Sequence, residues 1–238
     1  MKDKRIQIFV FARGGSKGIP NKNIMTLGST TLLGHSINIA KEIVPSTNIH
    51  VSTDSDRIAE NALMEGVNVI RRPEHLASDT AAEWDAWKHG INSVLETQGN
   101  FDYFVSLPTT APLRIKEDVI KCIDTLTDEV DLVVTMTKSS RSPWFNMVSR
   151  NDKGNLDLVC ANNDIYTRRQ DTPTCFDLTT VAYVSRPRYV LNNESMWAGN
   201  VGGIEIPAER GVDIDTILDF KYAELLLKEQ SIQNSSGN

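Results

Sequence analysis

Apolar residues along this chain follow two alternating rhythms. Residues 6–12 form a short apolar, β-branched run closed by glycines, the pattern of a buried strand. Leu32, Leu33, Ile37 and Ala40 then recur at the spacing of one helix face. Residues 49–53 return to a strand pattern, and 55–65 is helical, with Ile58, Ala62 and Glu65 offset by turns. The alternation continues with a strand at 67–70, a helix over about 78–96, a strand at 103–107, a helix over about 116–126 and a strand at 132–137. Strands separated by helices imply βαβ units, so the order predicts an α/β fold with a mostly parallel twisted sheet and flanking helices.

After Lys138 the rhythm changes. Residues 145–149 and 156–159 flank Asn151-Asp152-Lys153-Gly154-Asn155, a turn sequence that predicts a β-hairpin, and the segment reads as an insertion. Regularity returns with a strand at 180–184, a short helix near 188–192, a strand at 201–206 and a final helix over about 216–229. The polar tail from Ser231 is expected to fray. No internal repeat and no long linker divides the chain, so residues 1–238 are expected to form one domain.

Composition narrows the function classes. With 40% hydrophobic and 24% charged residues, collagen, low-complexity disorder and a membrane bundle are poor fits. The 25 Lys+Arg against 31 Asp+Glu give a net charge of −6, which argues against a broad nucleic-acid surface but leaves room for a local basic pocket. No apolar run is long enough to span a membrane, and 6–12 runs into Arg13 without a small-residue cleavage site, so neither a membrane segment nor a signal peptide is expected. Cys122, Cys160 and Cys175 lack C-x-x-C spacing, which points to a reduced, cytoplasmic setting.

Two stretches carry candidate chemistry. In the loop 13–23, Gly14, Gly15 and Gly18 allow backbone N–H groups to approach an anion, while Arg13, Lys17 and Lys22 add positive charge. The loop has neither the Walker A nor the G-x-G-x-x-G spacing, and a plain solvated turn is the alternative. Near the other end, Asp213-Ile214-Asp215 would, if extended, point both carboxylates to one face, a pair suited to Mg²⁺ with phosphate oxygens completing its shell. The same stretch also reads as a helix start, because Thr216 and Asp219 resemble a capping box; both readings can hold together. His35, His50, His75 and His89 form no metal-binding pattern, Ser16 lacks a hydrolase elbow, and Trp84 with Trp87 reads as packing.

Seven blocks, in order, resemble the acylneuraminate cytidylyltransferases, the CMP-sialic acid synthetases: ARGGSKGIPNKN at 12–23, LLGHSI at 32–37, VSTDSDRIAE at 51–60, RRPEHLASDTA at 71–81, PTTAPLR at 108–114, RRQDTP at 168–173 and DIDT at 213–216. The likeness spans nearly the whole chain. It implies a mononucleotide-binding domain of the nucleotide-diphospho-sugar transferase type, with a small β-rich dimerisation insertion at about 139–178. It also implies CTP and a nine-carbon sugar acid as substrates, Mg²⁺ as cofactor, and a homodimer without nucleic-acid or membrane partners.

By the same resemblance, Arg13, Gly14, Gly15, Ser16, Lys17, Lys22 and Asn23 would serve the nucleotide, and Arg72, Ser78, Thr80 and Ala81 would border its base. Asp213 and Asp215 would hold the metal. Lys17 and Lys22 would stabilise charge on the phosphates, and Asp215 or a hydroxide on the cation would be the general base. Pro108, Thr109, Phe145, Arg169 and Thr179 are the expected sugar-side residues, with Arg169 reaching a partner subunit's site.

Three positions depart from the family's sialic acid enzymes. Pro108 stands for a common Gln, Phe145 for a Lys, and Thr179-Thr180-Val181-Ala182-Tyr183 for N-G-A-I-Y. These surround the sugar, which leaves a legionaminate- or pseudaminate-type acid open. Rival readings are a nucleotidyltransferase for another acid such as 3-deoxy-octulosonate, and a non-catalytic nucleotide-binding module.

Overall fold

The computed structural model describes residues 4–15, 18–160 and 166–236. In chain order the elements are β1 (Ile6–Phe11), β2 (Thr26–Leu27), β3 (Thr30–Thr31), α1 (Leu32–Lys41), β4 (Ile49–Thr53), α2 (Asp56–Met64), β5 (Asn68–Arg71), α3 (Glu83–Gln98), β6 (Tyr103–Ser106) and α4 (Lys116–Thr125). There follow β7 (Leu132–Lys138), β8 (Val148–Arg150), β9 (Leu156–Leu158), β10 (Phe176–Ser185), α5 (Pro187–Asn192), β11 (Val201–Glu205) and α6 (Ile217–Ser236).

Seven strands form the main sheet in the order β11-β7-β10-β6-β1-β4-β5. All neighbours are parallel except β10, which runs antiparallel to both β6 and β7. Helices cover both faces, so β1 and β4 are buried almost throughout, β4 carrying His50, Ser52 and Thr53 among its buried positions. Successive strand side chains still separate into two cores. Ile8 and Val10 join Leu33 and Ile37 of α1, Ile58 of α2 and Val119 of α4 on one face. Phe9 joins Trp84, Trp87 and Ile91 of α3 and Tyr189 of α5 on the other.

Strand order also decides where a ligand can sit. From β1 the chain winds outward through β4 and β5, then crosses to the opposite side of β1 to form β6. The order therefore reverses between β1 and β6, and the loops leaving their C-terminal ends diverge and open a crevice.

The predicted hairpin forms as β8–β9, a two-stranded sheet apart from the main one. Its turn is closed by the Asn151 side chain, whose Oδ1 accepts from the Lys153 and Asn155 N–H groups, with Gly154 at φ +82°. Three boundaries differ from expectation. Helix α3 begins at Glu83 instead of near Ser78, because Arg13 holds the preceding loop through the Ser78 carbonyl and the Asp79 carboxylate. Strand β10 starts at Phe176, four residues early, paired with Lys138 of β7. Helix α6 runs on to Ser236 where fraying was expected from Ser231. The β2–β3 hairpin just before α1 was not predicted.

His50, buried on β4, bonds the Gln7 Oε1 at 2.8 Å, and burial pushes its pKa down to about 4. Its folded-state pKa lies below the unfolded value near 6.5, so the unfolded chain takes up a proton first as pH falls. Its contribution to stability is therefore complete above about pH 6.5 and is lost between there and about pH 4, by at most about 3 kcal/mol. Denaturant titrations at pH 7.5 and pH 5 should show this loss in the wild type and a smaller one in His50→Gln; equal slopes would exclude His50 as the source.

Candidate active site

The crevice at the reversal point holds a cavity of about 590 Å³. Arg13, Gly18, Lys22 and Asn23 reach it from the loop after β1, and Arg72, Ser78, Asp79 and Ala81 from the stretch between β5 and α3. Glu83 opens α3, Pro108, Thr109 and Thr110 follow β6, Thr180 comes from β10, and Asp213 and Asp215 precede α6.

Hydrogen bonds tie these segments together. Buried Asn23 donates from Nδ2 to the Arg13 carbonyl at 2.9 Å and accepts from the Thr109 hydroxyl at 2.6 Å, joining the β1 loop to the β6 loop across the crevice. Lys22 Nζ donates to the Ile214 carbonyl at 2.6 Å and to Asp215 Oδ1 at 3.0 Å. Gly18 packs so closely on this acidic segment that a Cβ there would collide with the Asp215 carbonyl. Asn21 adopts the left-handed conformation at φ 56°, one that Asn tolerates better than most residues.

Between the two carboxylates, Ile214 is fully buried with Ile19, Leu27, Leu32 and Leu113, and its N–H donates to the Thr110 carbonyl at 2.8 Å. Sinking the middle residue turns Asp213 and Asp215 toward the cavity, as the period-two reading expects. The helix-start reading holds as well: Asp219 accepts from the Thr216 N–H at 2.7 Å, and the Thr216 hydroxyl accepts from the Asp219 N–H at 3.3 Å. The Thr216 hydroxyl also donates to the Asp219 carboxylate at 2.8 Å, and this bond foremost, with those from the Thr216 and Asp215 N–H groups, holds the Asp219 carboxyl below its ordinary pKa.

Buried charge shapes the walls. Arg72 lies 5.7 Å from the Phe11 ring centre and donates to the Ser52 carbonyl and hydroxyl at the end of β4. Glu83 opens onto the cavity as an exposed residue; desolvation by the wall beside it pushes its carboxyl up, opposed by a bond from Trp87 and by nearby Arg72. Arg114 is buried outright and donates to the Val181 carbonyl at 2.8 Å, the Ser36 hydroxyl at 2.7 Å and the Pro108 carbonyl. Burial pulls its pKa down to about 9, which leaves it charged at neutral pH. Its fork thereby fastens the β6 loop to the register shift of β10, between Thr179 and Tyr183, and to α1.

A family model described as cytidylyltransferase matches residues 7–194. The chain belongs to the cytidylyltransferase family. It is similar to post-translational flagellin modification protein B of Campylobacter coli, 34% identical over 94% of this chain and 95% of that protein. It is also similar to the CMP-N,N'-diacetyllegionaminic acid synthase of Campylobacter jejuni, at 31% identity over the same shares. Among solved structures it resembles a CMP:2-keto-3-deoxy-manno-octonic acid synthetase complexed with CTP, with a TM-score of 0.69 at 16% identity, over 95% of this chain and 99% of that one. At that identity the match shows the fold.

Within this cytidylyltransferase the expected residues distribute unevenly. Arg13, Lys22, Asn23, Arg72, Ser78, Ala81, Pro108, Thr109, Asp213 and Asp215 all border the cavity. Ser16 and Lys17 lie outside the described residues. Gly14 is bound through its N–H to Asp54 at 2.9 Å, and exposed Gly15 and Thr80 do not line the cavity. Thr179 is buried and its hydroxyl donates to Thr135 Oγ1; its neighbour Thr180 lines the cavity instead. Phe145 and Arg169 sit in the 139–178 segment away from the cavity, Arg169 donating to the Ser140 carbonyl. Glu83, Thr110 and Thr180 were not anticipated. Placing the helix start at Ser78 had hidden Glu83 inside a helix, whereas a start at Glu83 puts it at the cavity edge.

Replacing Arg114 with Lys keeps the charge but loses the planar fork, leaving buried carbonyls unpaired. The variant should be less stable by about 3 kcal/mol in denaturant titration. A loss within experimental error would mean the loops are held by other contacts.

Proposed function

We propose that this protein couples CTP to the anomeric hydroxyl of a nonulosonic, sialic-acid-like sugar acid, giving the CMP-sugar and pyrophosphate. The observation carrying the proposal is the joining of Lys22 in the glycine loop to the Asp213–Asp215 segment at one cavity, in a member of the cytidylyltransferase family. The diacetyllegionaminic acid synthase, similar over nearly the whole chain, supports a nine-carbon acid, and a legionaminate-type substrate suits the departures at Pro108 and Thr179-Thr180. The octonic acid synthetase resembles this chain in fold alone, so it favours 3-deoxy-octulosonate less.

In this reading Arg13, Lys22 and, from the sequence, Lys17 neutralise the triphosphate, while Arg72, Ser78 and Ala81 border the base. The chemistry is mainly positioning: the sugar hydroxyl attacks the α-phosphorus in line with the departing pyrophosphate, and fixed cations stabilise the charge that develops. Asp213 Oδ1 is buried without a hydrogen-bond partner among the described residues, an arrangement that fits a cation ligand. Asp213 and Asp215 would hold Mg²⁺, which when bound supplies Lewis-acid polarisation of phosphate oxygens. Asp215, already beside Lys22, would take up the proton of the attacking hydroxyl.

Pyrophosphate release should appear with CTP, Mg²⁺ and one member of a panel of N-acetylneuraminate, legionaminate, pseudaminate and 3-deoxy-octulosonate, and with no other nucleoside triphosphate. Asp213→Asn should lower turnover by about 10² or more. Silence with every acid while CTP still binds would favour a binding module, and full activity in Asp213→Asn would remove the metal assignment.

We further propose a homodimer built through the 139–178 segment, with Arg169 serving the partner's site. Phe145, Val148, Leu156, Leu158, Phe176 and Leu178 all expose apolar side chains there, a patch of the kind that marks an association surface. Sedimentation should give a dimer for the wild type and a monomer for Leu156→Asp with Leu178→Asp; a monomeric wild type at micromolar concentration would refute this.

A further inference from the structure

Where β1 and β4 part, a side chain takes over the ladder. Bonds between parallel strands recur every second residue, and one runs from the Ala12 N–H to the Ser52 carbonyl at 3.0 Å. The next donor in line is the Gly14 N–H, and the next acceptor would be the Asp54 carbonyl. Gly14 donates instead to Oδ1 of the Asp54 carboxylate, at 2.9 Å. A side-chain oxygen in that place lets the two chains diverge, one into the glycine loop and one into α2, without orphaning the amide. The approach is close: a Cβ on Gly14 would stand 3.0 Å from the Ser55 Cβ and 3.5 Å from Asp54 Oδ2.

Asp54 thereby acts on both sides of the basic wall. Arg13, which lies between the two donors, lines the cavity, and its carbonyl accepts from Asn23. Its guanidinium reaches the Ser78 carbonyl and the Asp79 carboxylate of the stretch before α3. Burial lowers the Arg72 pKa, and the Asp54 charge is foremost among those opposing it. Arg57 of α2 donates to Asn21 Oδ1 at 3.4 Å, so the turn from β4 into α2 grips the glycine loop near both ends. Asp54 itself does not line the cavity. A negative charge beside a loop suited to anions works against anion binding through its field, so its use lies in the bond it accepts.

We propose that Asp54 is a positioning residue for CTP, fixing the start of the glycine loop, and Arg13 with it, before the nucleotide arrives. This rests on the reading of the cavity as a CTP site. Gly14 then commits its N–H to Asp54 and serves the nucleotide through the shape of the loop, not as a donor to phosphate. Hydrogen bonds to an ionised acceptor are the stronger kind. Without this one the free loop samples other conformations, and ordering it on binding appears as weaker affinity.

Wild type, Asp54→Ala and Asp54→Asn are compared by calorimetry with CTP and Mg²⁺, by steady-state pyrophosphate release, and by hydrogen exchange at the Gly14 amide of the nucleotide-free protein. Asp54→Ala should raise Kd for CTP about tenfold or more, with the sugar-acid KM at saturating CTP within about twofold of wild type. Asp54→Asn keeps an acceptor oxygen without the charge and should return Kd to within about threefold of wild type. The Gly14 amide should be protected in wild type and Asp54→Asn and exchange faster in Asp54→Ala. Unchanged CTP affinity in Asp54→Ala, an equal loss in Asp54→Asn, or a sugar KM rising as far as the CTP Kd would each overturn the assignment and leave the proposed reaction standing. So would an unprotected Gly14 amide in the wild type, a result that needs no variant to fold. A wild type that binds CTP but turns over no acid would overturn the reaction, while Kd and exchange still decide the role of Asp54. A wild type that binds no CTP would overturn both.

Discussion

One buried cation holds the working end of this molecule together. Arg114 lies beneath the β6 loop with its guanidinium divided among a carbonyl from that loop, a carbonyl from β10 and a hydroxyl from α1. A desolvated charge is costly, and here its donors are met by fixed acceptors whose own segments lack regular ladder partners at those points. The antiparallel strand β10 shifts register where Arg114 grips it, so irregular backbone is tolerated next to the cavity. That grip at Pro108 joins the bonds of Thr109 to Asn23 and of Thr110 to Ile214 in fixing this loop opposite the glycine loop.

Charge in the cavity is arranged in pairs. Lys22 rests on Asp215 and Arg13 on Asp79, so the basic groups of an otherwise acidic protein are held extended and ready by its own carboxylates. Such pairs at the rim contribute little to stability. Their effect is on orientation: these side chains have set positions in the folded protein, and the entropy of ordering them has been spent during folding.

Much of this was legible in the sequence because strong local signals and the global fold agree. The apolar run at β1 and the turn at 151–155 are strong local signals, and the alternation of strand and helix matches the mostly parallel sheet. Errors fell where tertiary contacts override local pattern. The loop before α3 has helix-compatible residues, yet Arg13 holds it open. Thr179 and Thr180 differ by one position in facing, which depends on the register shift held by Arg114 and is invisible to a periodicity count. Lys22 and Asp215 are 193 positions apart, and only recurring motifs, not spacing, linked them in advance.

The close packing of Gly18 on the Asp215 backbone makes the glycine loop and the acidic segment a single mechanical piece. Neither can lengthen or shift without displacing the other. The opposite wall is held by single side-chain bonds instead, Glu83 by Trp87 and Thr180 by Thr110. Substitutions on that wall therefore alter single bonds, whereas a change of length in the glycine loop or the acidic segment displaces both.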